Sequence, residues 1–322
     1  YWGMYNMREK INEHMLASKH NIDAGSITLL THNAEIIEGS NEEYNQIIDY
    51  IENTDLSNDS NFEYVKDQID LKNYTLYQVT NIFINNTDWP GNNVKFWKHP
   101  ETKWRWIMYD TDFGFGIPWM GLGYDVNTLQ FAVEPNGPEW PNPPWSTFLL
   151  RKLFENSDYR DRFVNIFCDR LNTVFKSGFL NERIDEMSSH IEDIIPIHHE
   201  KWPGSAQDWN YHIGILENFA DNRSLYIRQH LASFFDLSSP ALVTFISSLG
   251  GNIKVNTLGL ETYPWTGYYY SSIPIEIEAI PEEGYRFIGW AQYPDSTSKI
   301  KVQISNNSMI TALFEELAGG DT

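Results

Sequence analysis

Cysteine is nearly missing: Cys168 is the only one in 322 residues. No internal disulfide can form, and no zinc-type or cysteine-nucleophile spacing accompanies it. Cys168 sits beside the helical stripe of Phe163, Ile166, Phe167, Leu171, Val174 and Phe175, which gives it a structural role. Basic charge is also scarce, with 23 Lys and Arg against 44 Asp and Glu and a formal net charge of −21. That balance excludes the concentrated positive surface a phosphate backbone requires, so no nucleic-acid partner is expected. No run of 18 apolar residues occurs, and with it no transmembrane segment. The opening YWGMYNMREK has no leader-peptide pattern and reads as a strand already under way, so the chain is expected to be a fragment of a longer protein.

Aromatic residues, by contrast, are plentiful at 15%, with 12 Trp, and 41% of residues are hydrophobic. This describes folded material long enough for two domains. Residues 1–10 alternate as a strand, and SITLLTH (26–32) is a second short one. Apolar stripes place helices through 41–86. VKFWKHP and KWRWIMYD then read as a hairpin around HPET. Residues 116–145, rich in Gly, Pro and Asn, read as a long ordered loop. Helical periodicity returns over 146–236. From 241 onward short alternating runs (ALVTFIS, NIKVNT, PIEIEAI, YRFIGW, KIKVQI, MITALFEE) describe a small all-β domain. The expected fold is α+β: a mostly helical domain with a β-hairpin at 1–237, then an all-β domain at 241–317.

The stretch NNTDWPGNNVKFWKHPETKWRWIMYDTDFGFG carries the chemistry. Asp88 is followed five positions later by Asn93, then a hairpin, then Asp112-Phe113-Gly114. Phosphoryl transfer needs a carboxylate to orient the attacking hydroxyl, and an amide oxygen with a second carboxylate to hold Mg²⁺ against the phosphates. Protein kinases draw these from a catalytic-loop Asp, the Asn five residues on, and the Asp of a DFG triplet. The order and spacing match. The same Asp and Asn residues also suit turns, where their side chains bond nearby backbone. A calcium-loop reading of Asp110–Gly121 fails, because its fifth and twelfth positions hold glycine where oxygen ligands belong.

These residues resemble the CotH family of spore-coat, secretory-pathway-like atypical protein kinases. Tyr1 to Lys10 is similar to its Y-x-G-x-Y-x-x-x-E-K segment. Asn86-Thr87-Asp88 through Asn92-Asn93, and Tyr109-Asp110-Thr111-Asp112-Phe113-Gly114, are similar to its N-x-D…NN and D-x-D-x-x-G signatures. Trp209, Ile213, Leu216, Phe219, Arg223, Tyr226 and Leu231 resemble its last helix. The resemblance spans about residues 1–236. It implies a kinase-like C-lobe that moves the ATP γ-phosphate to protein hydroxyls with Mg²⁺. Asp88 is then catalytic, Asn93 binds metal and nucleotide, Asp110 or Asp112 is the main metal ligand, and Glu9 sits where a hinge meets the nucleotide. The His and Arg that a protein-kinase H-R-D places before the catalytic Asp are replaced by Asn86 and Thr87. The glycine-rich loop and its lysine would lie before Tyr1.

Residues 241–316 resemble divergent bacterial surface repeats with G-Y-x-F-x-G-W (Gly284, Tyr285, Gly289, Trp290) and a closing A-x-F. The resemblances imply an extracellular or cell-surface bacterial protein with a protein substrate. The aromatic loop (Trp119, Tyr124, Phe131, Trp140, Trp145) and the β domain offer carbohydrate or cell-surface contacts. A different class stays open beside the enzyme: a non-catalytic surface or adhesion scaffold that keeps the kinase-like fold. A glycosidase would need two facing carboxylates, and no such pair stands out. His198, His199 and His212 near Glu200 lack zinc spacing.

Overall fold

The computed structural model describes residues 2–5, 7–203, 209–294 and 297–317. They form ten α-helices and twelve strands in two units, one of Tyr1–Arg160 with Phe175–His230, the other of Asp161–Val174 with Leu231–Thr322. The expected α+β class is observed. The expected opening strand is not: the described residues before Glu13 form none. Trp2, Tyr5 and Met7 are 81%, 77% and 102% exposed, so their alternation meets no sheet that would reward it.

In the larger unit, α1 (Glu13–His20) starts where the Asn12 side chain accepts from the Met15 N–H. β1 (Thr28–Thr31) and β2 (Glu35–Glu38) form a hairpin, followed by α2 (Glu42–Asn53), α3 (Asp59–Gln68) and α4 (Leu71–Phe83). β3 (Lys95–Lys98) and β4 (Arg105–Ile107) make the second hairpin where it is predicted. The antiparallel sheet runs β2-β1-β3-β4. Both inner residues of β3 are buried. Trp97 packs with Met15, Leu16, Ile27 and Leu29, while Phe96 meets the rings of Tyr44, Trp104 and Trp106. Alternation along the strand sends these two rings to opposite faces, so helices can cover both.

Nine of the 13 residues of α4 are buried, which makes it the axis from which the next loop is hung. Asp70 caps its start by accepting from the Asn73 N–H at 3.0 Å. The region read as one long loop contains a short helix, α5 (Thr128–Ala132), capped by Asn127. Then come α6 (Pro144–Leu153), α7 (Ser157–Leu171), α8 (Ser177–Ser189), α9 (Ile195–Lys201) and α10 (Trp209–Phe235).

The smaller unit holds most of α7 and eight strands: β5 (Pro240–Ser247), β6 (Gly251–Val255), β7 (Leu258–Leu260), β8 (Trp265–Tyr270), β9 (Ile275–Pro281), β10 (Tyr285–Trp290), β11 (Lys299–Val302) and β12 (Ser308–Glu316). They form two sheets, β10-β12-β5-β8 and β11-β9-β6-β7. Among the described residues of this unit, only the β12–β5 pair is parallel. Alternate residues face inward, as in Leu242 to Phe245 and Ile275 to Ala279. Gly250 has φ +98°, and a Cβ there would lie 2.0 Å from the Tyr285 ring, so the turn between the sheets requires glycine. The sheet register shifts between Phe287 and Gly289, where Gly289 has φ +151°, and Trp290 is buried with its indole N–H on the Thr297 carbonyl. This bulge explains the spacing of the G-Y-x-F-x-G-W motif.

Candidate active site

The site grows from the end of α4. Asn85 turns the chain with φ +54°, a left-handed conformation that asparagine tolerates better than most residues. Asn86, 1% exposed, returns its N–H to the Asn81 carbonyl at 3.1 Å and its Nδ2 to Asn81 Oδ1 at 2.8 Å. Asn81 in turn donates through Nδ2 to the Tyr77 carbonyl. Asn86 Oδ1 accepts the Asp88 N–H at 3.2 Å. Two buried asparagines thus fix the backbone of Asp88 to the most buried helix.

The half-buried carboxylate of Asp88 is held from the other side as well. Asn92 Nδ2 donates to Oδ1 at 2.8 Å and Asn93 Nδ2 to Oδ2 at 2.7 Å. These two bonds fix the plane of the carboxylate. Asn92 is itself steadied, its Oδ1 lying 3.3 Å from His32 Nε2, while His32 Nδ1 lies 3.7 Å from Glu35. Asn93 takes φ +53° to reach the carboxylate.

The Asp112-Phe113-Gly114 segment is stitched to this loop. The Thr87 N–H and hydroxyl both donate to the Phe113 carbonyl, at 3.2 and 3.3 Å, and the Phe115 N–H donates to the Ile84 carbonyl at 2.7 Å. A Cβ on Gly114 would lie 3.0 Å from the Thr111 carbonyl and 3.2 Å from the Ile84 side chain, so the close approach favours glycine there. Phe115 has φ +59°, rare for a bulky residue, and its ring packs against Phe219 at 5.1 Å. Asp110 also has a positive φ, +52°. Its carboxylate is 3.6 Å from Arg8, a largely exposed pair that contributes little to stability.

Tyr109 lies between the two acidic stretches. Burial first, then the negative charges of Asp110 and Asp88, push its phenol up to about 12, and a bond with Thr31 opposes this. It therefore stays a neutral hydroxyl at any physiological pH. Lys95 stands over its ring at 4.5 Å, and Lys98 is taken by Glu43. Asp88 and Asn93 meet directly, Asp110 neighbours them through Tyr109, and Asp112 is exposed on the turn beyond. Glu9 pairs with Lys19 at 3.4 Å. Among the described residues no bond joins it to these four, and the strand on which it was expected does not form.

The donor set of Asp88, Asn93, Asp110 and Asp112 is all oxygen, which suits a hard divalent cation. With Nδ2 of Asn93 committed to Asp88, its Oδ1 is the atom left for such an ion. Among the described residues no three His, Cys, Asp or Glu already converge on a metal position. That holds for the His198–His212 region too, of which residues 204–208 lie outside the described part.

Spacing alone did not reveal Asn81, Asn92, His32 or Tyr109. Asn81 is one of three buried polar residues of α4, with Thr75 and Gln78, and helical period alone does not set it apart from them. Arg223, noted only for its place in the last helix, is 0% exposed. Its guanidinium donates to the carbonyls of Ile82, Phe83, Tyr124 and Val126 at 2.6–2.7 Å and to the Thr128 hydroxyl at 3.1 Å. It therefore clamps the end of α4 just before the loop that carries Asp88.

The family model described as CotH kinase protein matches residues 1–227. That is well over half of the chain, which belongs to the CotH kinase family. The match ends before β5, so the eight strands of the smaller unit lie outside it. No curated protein matches the chain.

Proposed function

We propose that this CotH kinase family member is the catalytic part of a secreted protein kinase, using Mg²⁺ to move the γ-phosphate of ATP to a serine or threonine hydroxyl of a protein. One observation carries the reading: Asp88 is fixed between Asn92 and Asn93 on a loop bonded to the Phe113 carbonyl of the DFG triplet. Asp88 would take the hydroxyl proton as the substrate oxygen bonds to phosphorus. The bond from phosphorus to the β–γ bridging oxygen then breaks, and ADP leaves. Asn93 Oδ1 and Asp112 or Asp110 would hold the metal, which when bound offsets the negative charge on the phosphate oxygens. Location at or outside the cell surface is supported by the family and by the surface-repeat motif of the β unit.

The test is phosphate incorporation by the full-length protein with labelled ATP and Mg²⁺, beside Asp88→Asn and Asp112→Asn. We expect Asp88→Asn to lower the rate by roughly 10²–10⁴ with the fold unchanged, and Asp112→Asn to weaken the metal dependence. The second reading is a binding scaffold that keeps the fold without catalysis. It is favoured by Asp112, which is exposed on its turn while Asp88 is bonded to Asn92 and Asn93. Failure of the full-length protein to bind Mg²⁺–ATP would decide for the scaffold.

A further inference from the structure

Beside the Asp88 loop lies a cavity of about 530 Å³, within the range that encloses a ligand group. Asn86 and Thr87, the two residues before Asp88, form one wall, and Phe113 of the DFG triplet another. Leu122, Val126 and Phe131 line it as well. Whatever fills this space therefore lies against the residues that position Asp88.

The lining says what would fill it. At its base the polar groups are spent on the protein itself: Asn85 donates to the Gly123 carbonyl and accepts from Thr128, whose hydroxyl also receives Arg223. The remaining surface is mainly apolar, and Met120 and Trp140 at its edge are 50% and 59% exposed. Among the described residues no Lys, Arg or His lines the cavity, and the one ionisable side chain among them is Glu134. A nucleotide phosphate would find no cation here and would face a carboxylate. An apolar side chain would lose water on entry and leave no polar group unpaired. A basic neighbour would be drawn to Glu134, and to a chain with net charge −21.

We infer that this cavity receives a bulky apolar side chain of the protein substrate, close in sequence to the accepting hydroxyl, with a basic residue placed toward Glu134. The inference rests on the kinase reading for the identity of the acceptor, but the binding it describes needs no catalysis. The two can therefore fail separately.

The experiment uses the full-length protein and a positional-scanning set of serine-centred peptides, read first by binding without nucleotide and then by transfer of labelled phosphate. One position should favour Leu, Ile, Met or Phe over Ala by ~10-fold or more in binding. Gln130→Trp places an indole into the cavity from an exposed position of α5 and should abolish that preference. Leu122→Ala widens the space and should shift the preference toward larger rings. Glu134→Gln should weaken the gain from a neighbouring Lys or Arg while the apolar preference remains. Equal binding of all peptides, or an apolar preference that survives Gln130→Trp unchanged, overturns the inference. Apolar selection in binding without phosphate transfer upholds the cavity's role and removes the kinase reading. Transfer without apolar selection does the reverse.

Discussion

Arg223 in the larger unit and Asp169 in the smaller one are both 0% exposed, and both are held by neutral groups instead of an opposite charge. A guanidinium is a rigid fork of five N–H donors. Arg223 meets it with four carbonyls and one hydroxyl, two of the carbonyls being those of Ile82 and Phe83 at the end of α4. The last carbonyls of a helix lack their usual i+4 donor, and Ile82 receives in its place a 3.3 Å bond from the Asn85 N–H, so the cation supplies donors that helix geometry leaves short. Asp169 has the mirror problem, since a carboxylate only accepts. Its Oδ2 takes the N–H and hydroxyl of Thr257, and its Oδ1 takes the Asn256 amide and the Tyr269 hydroxyl. Each unit ties a loop to a helix by the same device with the sign reversed. Only one of the two can be switched by ordinary pH. Burial pulls Arg223 down to about 9, with Asp125 opposing, which leaves it cationic at neutrality. Burial lifts Asp169 to about 6 against the pull of its four donors.

The sharpest way to break the comparison is to delete the cation. Arg223→Met keeps much of the volume but takes a donor from two buried carbonyls, two part-buried ones and a hydroxyl. We expect a loss of about 3–5 kcal/mol in unfolding free energy. Hydrogen exchange should localise it to the end of α4 and residues 124–128. Arg223→Lys keeps the charge but offers three donors on a point-like ammonium, so it should recover less than half. Full recovery by lysine would show that charge, and not the fork, is what the site requires. Asp169→Ala should cost somewhat less, about 2–4 kcal/mol, because the donors it abandons include hydroxyls that can turn to other acceptors. Its exchange signature should fall on residues 256–257 and 269.

How readable these devices were from the sequence follows the range of the contact. The β3–β4 hairpin, α2 to α4 and six of the eight late strands announce themselves by local period, which a sequence displays directly. β7 was missed because Leu258-Gly259-Leu260 is too short to show alternation, and β8 because WTGYYY places Gly267 in mid-strand. The first residues mislead in the opposite way, with alternation present and no sheet beside it. At the candidate site, the five-residue step from Asp88 to Asn93 puts two bonded side chains in one loop, so spacing alone could bring them together. Arg223 lies 95 to 141 residues from the groups it bonds. Asp169 stands in the charged pair Asp169-Arg170 of an amphipathic helix, a pattern that ordinarily marks a solvated face. Nothing local distinguishes either of them.

The smallest expected effect is the one that separates the two devices most cleanly. For Asp169 the folded carboxyl titrates near 6 and the unfolded one near 3.8, so between those values the folded state holds the extra proton. Stability from this group must therefore rise as pH falls through 6 and is complete only below 3.8. Between pH 7 and 5 the gain is about 1 kcal/mol, at ~1.4 kcal/mol per pKa unit. Other carboxylates titrate over the same interval, so the quantity to measure is the stability gap between wild type and Asp169→Asn, by denaturant unfolding at both pH values. The gap should move by about 1 kcal/mol in favour of wild type at pH 5. The corresponding gap for Arg223→Met should stay constant, because the guanidinium titrates at about 9 when folded and higher still when unfolded, both above the interval. A flat Asp169 gap would mean that the four donors outweigh burial and keep the carboxylate ionised throughout, which would make the two buried charges alike in pH response as well as in construction.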